Sequence, residues 1–166
     1  FCPTPWPEEP TPNHLKNCKK CGLYKHGTRM IWGEGNPNAS LMVILDNPGA
    51  RENKEGEQYV CGTRQTLQEA AYEVGLNNQD MYITYVLKRR PRKAYDKERA
   101  RKICIRHLEQ QLENRKPVLL ICLGNVAVQS FFQNAEVEVK QLRGKIHHIN
   151  GYSTIVAYHP LAIRRR

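Results

Sequence analysis

"SLMVILDNPG", residues 40–49, is an apolar run that stops on Asp46 and turns at once through Asn47-Pro48-Gly49. Such a run leaves no polar face, so a strand built from it must be covered on both sides, as strands of parallel sheets are. "VLLICLG" (118–124) repeats the pattern, while "DMYITYVL" (80–87) and "STIVAYH" (153–159) carry the β-branched and aromatic residues of two further strands. Helical patterns separate them: 63–76, with Leu67, Ala70, Ala71 and Val74 on one face and Gly75 as its stop, then 96–115, then 125–134. A parallel pair needs a crossover that a helix supplies, so this alternation predicts a three-layer α/β/α domain around a central, mostly parallel four-stranded sheet. Ligands of such sheets sit beyond the carboxyl ends of the strands, which gathers 46–49, 88–91, Gly124-Asn125 and His159-Pro160 around one cleft.

Ahead of this pattern, residues 1–12 hold five of the ten prolines and read as an extended surface arm, with a short helix expected around "NHLKNCKKCGLY" (13–24). Residues 13–166 then form one domain, a size at which roughly two-thirds of the unfolded surface is buried. The 26 Lys and Arg against 16 Asp and Glu give a formal charge of +10, which points to a polyanionic partner, nucleic acid first and an anionic membrane surface second. No apolar run reaches the ~18 residues of a membrane span and "FCPTPWPEEP" lacks the order of a signal peptide, so the chain is expected to work inside the cell, in the cytoplasm. In that compartment the six cysteines are expected as thiols or metal ligands rather than disulfides, with Cys122 a small buried filler.

Four groups of residues carry possible chemistry. Asn47 is fixed by the Pro-Gly turn after a strand, and His159 by the proline that follows it; each alone also fits an ordinary turn or a structural histidine. Cys18-x2-Cys21 has the spacing of a tetrahedral metal or an iron-sulfur cluster, with Cys104 a candidate third ligand and Cys2 or a histidine a fourth. From Lys88 to Arg106, ten of nineteen residues are basic and only Asp96 and Glu98 oppose them, which suits either a phosphate-contacting surface or a solvated helix face.

Taken in order, these pieces resemble the uracil-DNA glycosylase superfamily, most closely its iron-sulfur-containing family 4. "CKKCGL" matches that family's CxxCxL, and "WGEGNPNASLMVIL" its glycine-rich lead-in. "LDNPGARENKEGEQYVC" aligns without gaps to GEAPGxxEDxxGxPFVG, "YITYVLKRRP" to YITNxxKCRP, "CIRHLEQQL" to CxxxLxxQL and "KPVLLICLGNVA" to PxxIxxLGxxA; "LRG" (142–144) and the closing "HP" complete the series. The resemblance implies a monomeric DNA glycosylase of the base-excision repair type. It flips a deaminated base, most simply uracil, out of single- or double-stranded DNA and hydrolyses the N-glycosidic bond, with no lysine at a matched position for a lyase step.

Roles follow residue by residue from the same resemblance. Asn47 orients the water and His159 donates to the base as charge develops, with Asp46 the third catalytic residue. Tyr59 stacks on the flipped ring, while Gly49, Tyr85 and Asn125 line its pocket. Lys88, Arg90, Arg143 and Arg164 meet phosphates and Leu161 or Ile163 wedges into the duplex. Cys18, Cys21 and Cys104 hold a [4Fe-4S] cluster, with Cys2 completing it because the family's remaining cysteine is Arg89 here; a metal-free or zinc-bound site is the alternative. Asn47 departs from family 4 toward the GxNPG motif of the mismatch-specific and single-strand-selective families. Tyr85 replaces the family's pyrimidine-reading Asn, which leaves open a different base or a catalytically silent DNA-binding homologue.

Overall fold

A computed structural model describes residues 1–50 and 62–164. Four strands, β3 (Leu41–Leu45), β4 (Met81–Tyr85), β5 (Leu119–Leu123) and β7 (Tyr152–Ala157), form the parallel centre in the order β4-β3-β5-β7. The centre is as expected, but the sheet is wider than four. β1 (Glu8–Glu9) and β2 (Gly33–Gly35) extend it antiparallel beyond β4, and β6 (Ile146–Ile149) does so beyond β7, making seven strands among the described residues.

Side-chain alternation along the central strands sorts two cores. Met42, Ile44, Tyr82, Leu120, Cys122 and Val156 face one side, where they meet Ile105, Leu108 and Leu112 of α2 (Lys97–Arg115) and Ala127, Val128 and Phe131 of α3 (Asn125–Phe132). Val43, Leu45, Met81, Ile83 and Leu123 face the other, against α1 (Thr63–Glu73), which in turn packs on α5 (Pro160–Arg164). Both faces of each strand are thus covered, and every large side chain removed from water contributes roughly 1.5–3 kcal/mol.

Local chemistry sets the helix limits. Asp96 caps α2 by accepting the Arg99 N–H at 3.1 Å, and the helix stops where Lys116 turns left-handed (φ 47°) before Pro117. α1 ends just ahead of Gly75 (φ 83°), the predicted stop. A further short helix, α4 (Val139–Leu142), follows α3.

Two expectations about the first thirty residues change. The proline-rich segment does not lie loosely on the surface: Trp6 is 6% exposed within the α1-side core, and Glu8–Glu9 pairs with β2. Ion pairs of Glu8 with Arg29 (2.6 Å) and of Glu9 with Arg115 pin it further. The helix expected over 13–24 is two single 3-10 turns, Asn13–Leu15 and Leu23–His26, because the CxxC segment between them runs as a knuckle ended by Gly22 (φ 81°).

Candidate active site and cysteine pocket

Strands β3 and β7 flank β5 and end at the same edge of the sheet, where their carboxyl ends bring Asp46 to His159. His159 Nε2 stands 3.5 Å from Asp46 Oδ1, and the Leu161 amide N–H at the start of α5 donates to His159 Nδ1 at 3.1 Å. With Nδ1 accepting, the neutral ring carries its proton on Nε2, so the histidine presents a donor. Close packing sets its position: Gly124 has φ 93°, and a Cβ there would lie 3.2 Å from that of His159.

Burial alone would raise the Asp46 pKa. The hydrogen bond from His159 and the Asn47 N–H, 2.8 Å from Oδ1, outweigh it and hold the carboxyl below its ordinary value, so Asp46 is an anion at neutral pH. Asn47 donates through Nδ2 to the Pro48 carbonyl at 2.9 Å, which fixes its amide plane, and among the described residues its Oδ1 has no hydrogen-bond partner. Half-buried Gly49 continues the turn.

Other predicted residues fall elsewhere. Lys88 is not on a DNA-facing surface; it is 0% exposed and donates from Nζ to Thr84 Oγ1, Gln111 Oε1 (2.8 Å) and the Trp32 carbonyl (3.1 Å). Burial pushes its pKa down to about 7. Tyr85 does not present an edge to a cleft either. It is 2% exposed in the α1-side core, with its hydroxyl 3.4 Å from Glu34 Oε1, because the side chain follows the strand alternation inward. Asn125 is exposed at the first turn of α3, but its Oδ1 accepts the Val139 N–H at 2.9 Å and ties α3 to α4. Tyr59, Cys61 and the Arg164 side chain lie outside the described residues.

The rim of the site is basic and apolar together. Arg143 is exposed, with its guanidinium 5.4 Å from the Tyr158 ring beside His159. Leu161 (38% exposed) and Ile163 (56%) stand on α5, directly after the histidine. Arg90 is half-buried, its carbonyl accepting from Thr28 Oγ1 at 2.9 Å. Exposed Arg92, Lys93, Lys97 and Arg99 continue the basic surface, with Lys16, Lys19, Lys20 and Lys25 on the cysteine-bearing segment. That segment touches the first group where the Arg92 N–H donates to His26 at 3.0 Å.

Cys18, Cys21 and Cys104 come together, and a residue not numbered in advance joins them. They line a cavity of about 10 Å³ with His107, Lys88 and Arg89. Cys18 Sγ is 3.5 Å from His107 Nε2. The neighbouring Cys104 thiol, with Arg89 nearby, lowers the Cys21 pKa to about 6, while Cys21 and burial raise that of Cys104. Burial and the neighbouring Lys88 push His107 down to about 4, leaving a neutral imidazole. Cys2 is exposed and does not line this cavity, while Cys122 is a buried filler whose pKa burial raises to about 12. For the four-iron cluster implied by the sequence the donor set among the described residues falls short: three thiols line a space fit for about one water-sized body, and Arg89 stands in the fourth ligand's place.

Two further groups escaped sequence reasoning. His107 follows Cys104 by three residues on α2, a spacing that puts both on one helix face and was the available signal. Glu34, in the glycine-rich "GEG", is 1% exposed and accepts from Arg64 at 2.7 and 3.1 Å, an ion pair that nothing in the pattern announces.

A family model described as Uracil DNA glycosylase superfamily matches residues 32–166. The chain is 33% identical over 161 residues to a type-4 uracil-DNA glycosylase of Archaeoglobus fulgidus, covering 92% of this chain and 80% of that relative. It is similar also to the type-4 uracil-DNA glycosylases of Saccharolobus solfataricus (31%, covering 90% and 74%) and Thermotoga maritima (30%, covering 91% and 80%).

Proposed function

The chain belongs to the uracil-DNA glycosylase superfamily, and on that basis we propose that it is a monofunctional DNA repair glycosylase. It takes a deaminated base, uracil first, out of the helix and hydrolyses its N-glycosidic bond to leave an abasic site. The observation that carries this reading is the His159 ring, with its proton directed to Nε2 beside an ionised Asp46.

The bond that breaks is C1′–N, and its electron pair leaves with the base. His159 Nε2–H, only loosely engaged at 3.5 Å, turns to the carbonyl oxygen on which that charge collects. The Asp46 carboxylate faces the electron-poor sugar, and with Asn47 Oδ1 it holds the water whose oxygen closes on C1′ and whose proton leaves toward Asp46. Phosphates lie along Arg90, Arg143 and the cations of α2, and Leu161 or Ile163 fills the gap left by the extruded base. The enzyme acts as a monomer on cytoplasmic DNA, and among the described residues no helix is long and apolar enough to cross a membrane.

Strands bearing a single uracil or hypoxanthine, incubated and then treated with alkali, test this: cleavage at uracil is expected, and no abasic site from any deaminated base overturns it. One observation favours a second reading, a homologue with altered base preference or none. Tyr85, at the family's base-reading position, has its hydroxyl against Glu34 instead of a pocket. Asn47→Ala separates the two, since an enzyme loses turnover and a DNA-binding homologue keeps its affinity.

A further inference from the structure

Among the described residues, the pocket that a four-iron cluster would need is small, short of a cysteine, and supplied with a histidine. We propose that Cys18, Cys21, Cys104 and His107 bind a single zinc ion, so that this chain replaces the family's cluster with a Cys3His site and Arg89 takes over the lost ligand's structural role. The inference concerns the cysteine pocket alone and stands whether or not the glycosylase reading holds.

Distances favour one ion over a cluster. With ordinary Zn–S and Zn–N lengths, neighbouring sulfur and nitrogen ligands of a tetrahedron stand about 3.5 Å apart. Cys18 Sγ and His107 Nε2 are separated by 3.5 Å. Cys21 and Cys104 line the same cavity, on its two sides. In a four-iron cluster each thiolate binds a different iron, and four irons and four sulfides occupy the space between the sulfurs. A cavity of about 10 Å³ has no such space.

The framework suits a metal knuckle. Cys18 and Cys21 flank a turn closed by the Gly22 N–H to the Lys19 carbonyl (3.2 Å), with Gly22 left-handed. Cys104 and His107 face the turn from one side of α2. As the side chains stand, no three such donors among the described residues form a group that would hold an ion. The two pairs line one cavity, and the thiols close on the ion by rotating as each gives up its proton to solvent.

Arg89 fits this arrangement by charge and by position. Zinc with three thiolates and a neutral imidazole carries one net negative charge, which the guanidinium lining the same cavity balances. Its Nη atoms donate to the carbonyls of Thr28 and Lys16 (3.3 Å for the latter), fastening both sides of the cysteine-bearing segment to the stretch after β4 that a fourth thiolate would have fastened.

The test is metal content and spectroscopy of the full chain. Purified protein should hold one zinc per chain, with no acid-labile sulfide. Replacement by Co(II) should give thiolate charge-transfer and tetrahedral d–d bands. His107→Ala should weaken zinc binding by at least about tenfold and His107→Cys should retain it. After anaerobic treatment with ferrous iron and sulfide, Arg89→Cys should turn brown while the unaltered chain stays colourless. A brown four-iron unaltered chain, no metal bound at all, or a cobalt spectrum unchanged in a folded His107→Ala protein would each overturn the proposal.

Discussion

His159 and Asp46 meet edge to edge across the ends of β7 and β3, with Nε2 3.5 Å from Oδ1 while the Leu161 N–H occupies Nδ1. The ring can therefore donate at Nε2 without first changing tautomer. His159→Ala should lower single-turnover excision of uracil by roughly a hundred- to a thousandfold, the ordinary cost of removing a donor to a developing anion. Affinity for uracil-containing DNA should hardly move. Equal losses in binding and turnover would assign the histidine to binding instead.

Asp46 supplies a pH signature. Burial opposes its charge, but the His159 contact and the Asn47 N–H hold the carboxyl below its ordinary value. A lowered folded-state value means stability present above the ordinary carboxylate range and lost as pH falls through the lower, native one. Activity that needs the anion follows the same direction. The acid limb of the rate profile should lie below the usual carboxylate range in the unaltered chain and vanish in Asp46→Asn, whose residual rate should be flat there.

How far the sequence revealed this molecule depended on which interactions leave a period. Leu41–Leu45 and Leu119–Leu123 are continuous apolar runs because both faces are buried, so the parallel centre was readable. Glu8–Glu9 and Gly33–Gly35 are too short for any pattern; their pairing rests on Trp6 entering the core and on the close approach at Gly33, where a Cβ would lie 2.0 Å from the Tyr82 hydroxyl. Asp46, Asn47 and His159 were legible because the strand-end rule gathers residues by topology. Lys88 was misread because charge was taken as a sign of surface, and Thr84, Gln111 and the Trp32 carbonyl, distant in sequence or hidden in a strand, help make its burial tolerable.

Lys88 should shape stability on the alkaline side. Its folded pKa of about 7 lies well below the usual lysine value of 10.5, because burial disfavours the ammonium. Between those values the unfolded chain holds a proton that the folded chain does not, so stability rises with pH across that window. From pH 7 to 9 the contribution is about 2 kcal/mol. Urea titrations of the metal-free chain at the two pH values should show that rise reduced by this amount in Lys88→Met. An identical pH dependence in both proteins would mean that the buried lysine stays charged.

Glu34 and Arg64 make the other buried demand on the fold. Both side chains are nearly sealed, and the pair joins β2 to α1 beside the Tyr85 hydroxyl. Removing one partner leaves the other charge buried, so Glu34→Gln should cost about 3–5 kcal/mol, whereas Glu34→Leu with Arg64→Met should recover much of the loss. The measurement is a double-mutant cycle from denaturant midpoints. Strict additivity would show that the two charges do not depend on each other.

Leu161 and Ile163 are apolar, exposed and placed on α5 immediately beyond His159, where burial in the protein gives them no reason to be there. Side chains of this kind support an extruded nucleotide by filling the stack it leaves, work that exists in a duplex and is nearly absent in a single strand. Leu161→Ala with Ile163→Ala should therefore slow excision from duplex uracil by about tenfold, the consequence of losing roughly 1–2 kcal/mol of wedge contact. Excision from single-stranded uracil should stay nearly constant. Because both positions are open to solvent, the thermal midpoint should also hold, within the ~0.5 kcal/mol usual for surface changes. Equal slowing on both substrates, with stability intact, would move these residues from the duplex wedge to the base pocket itself.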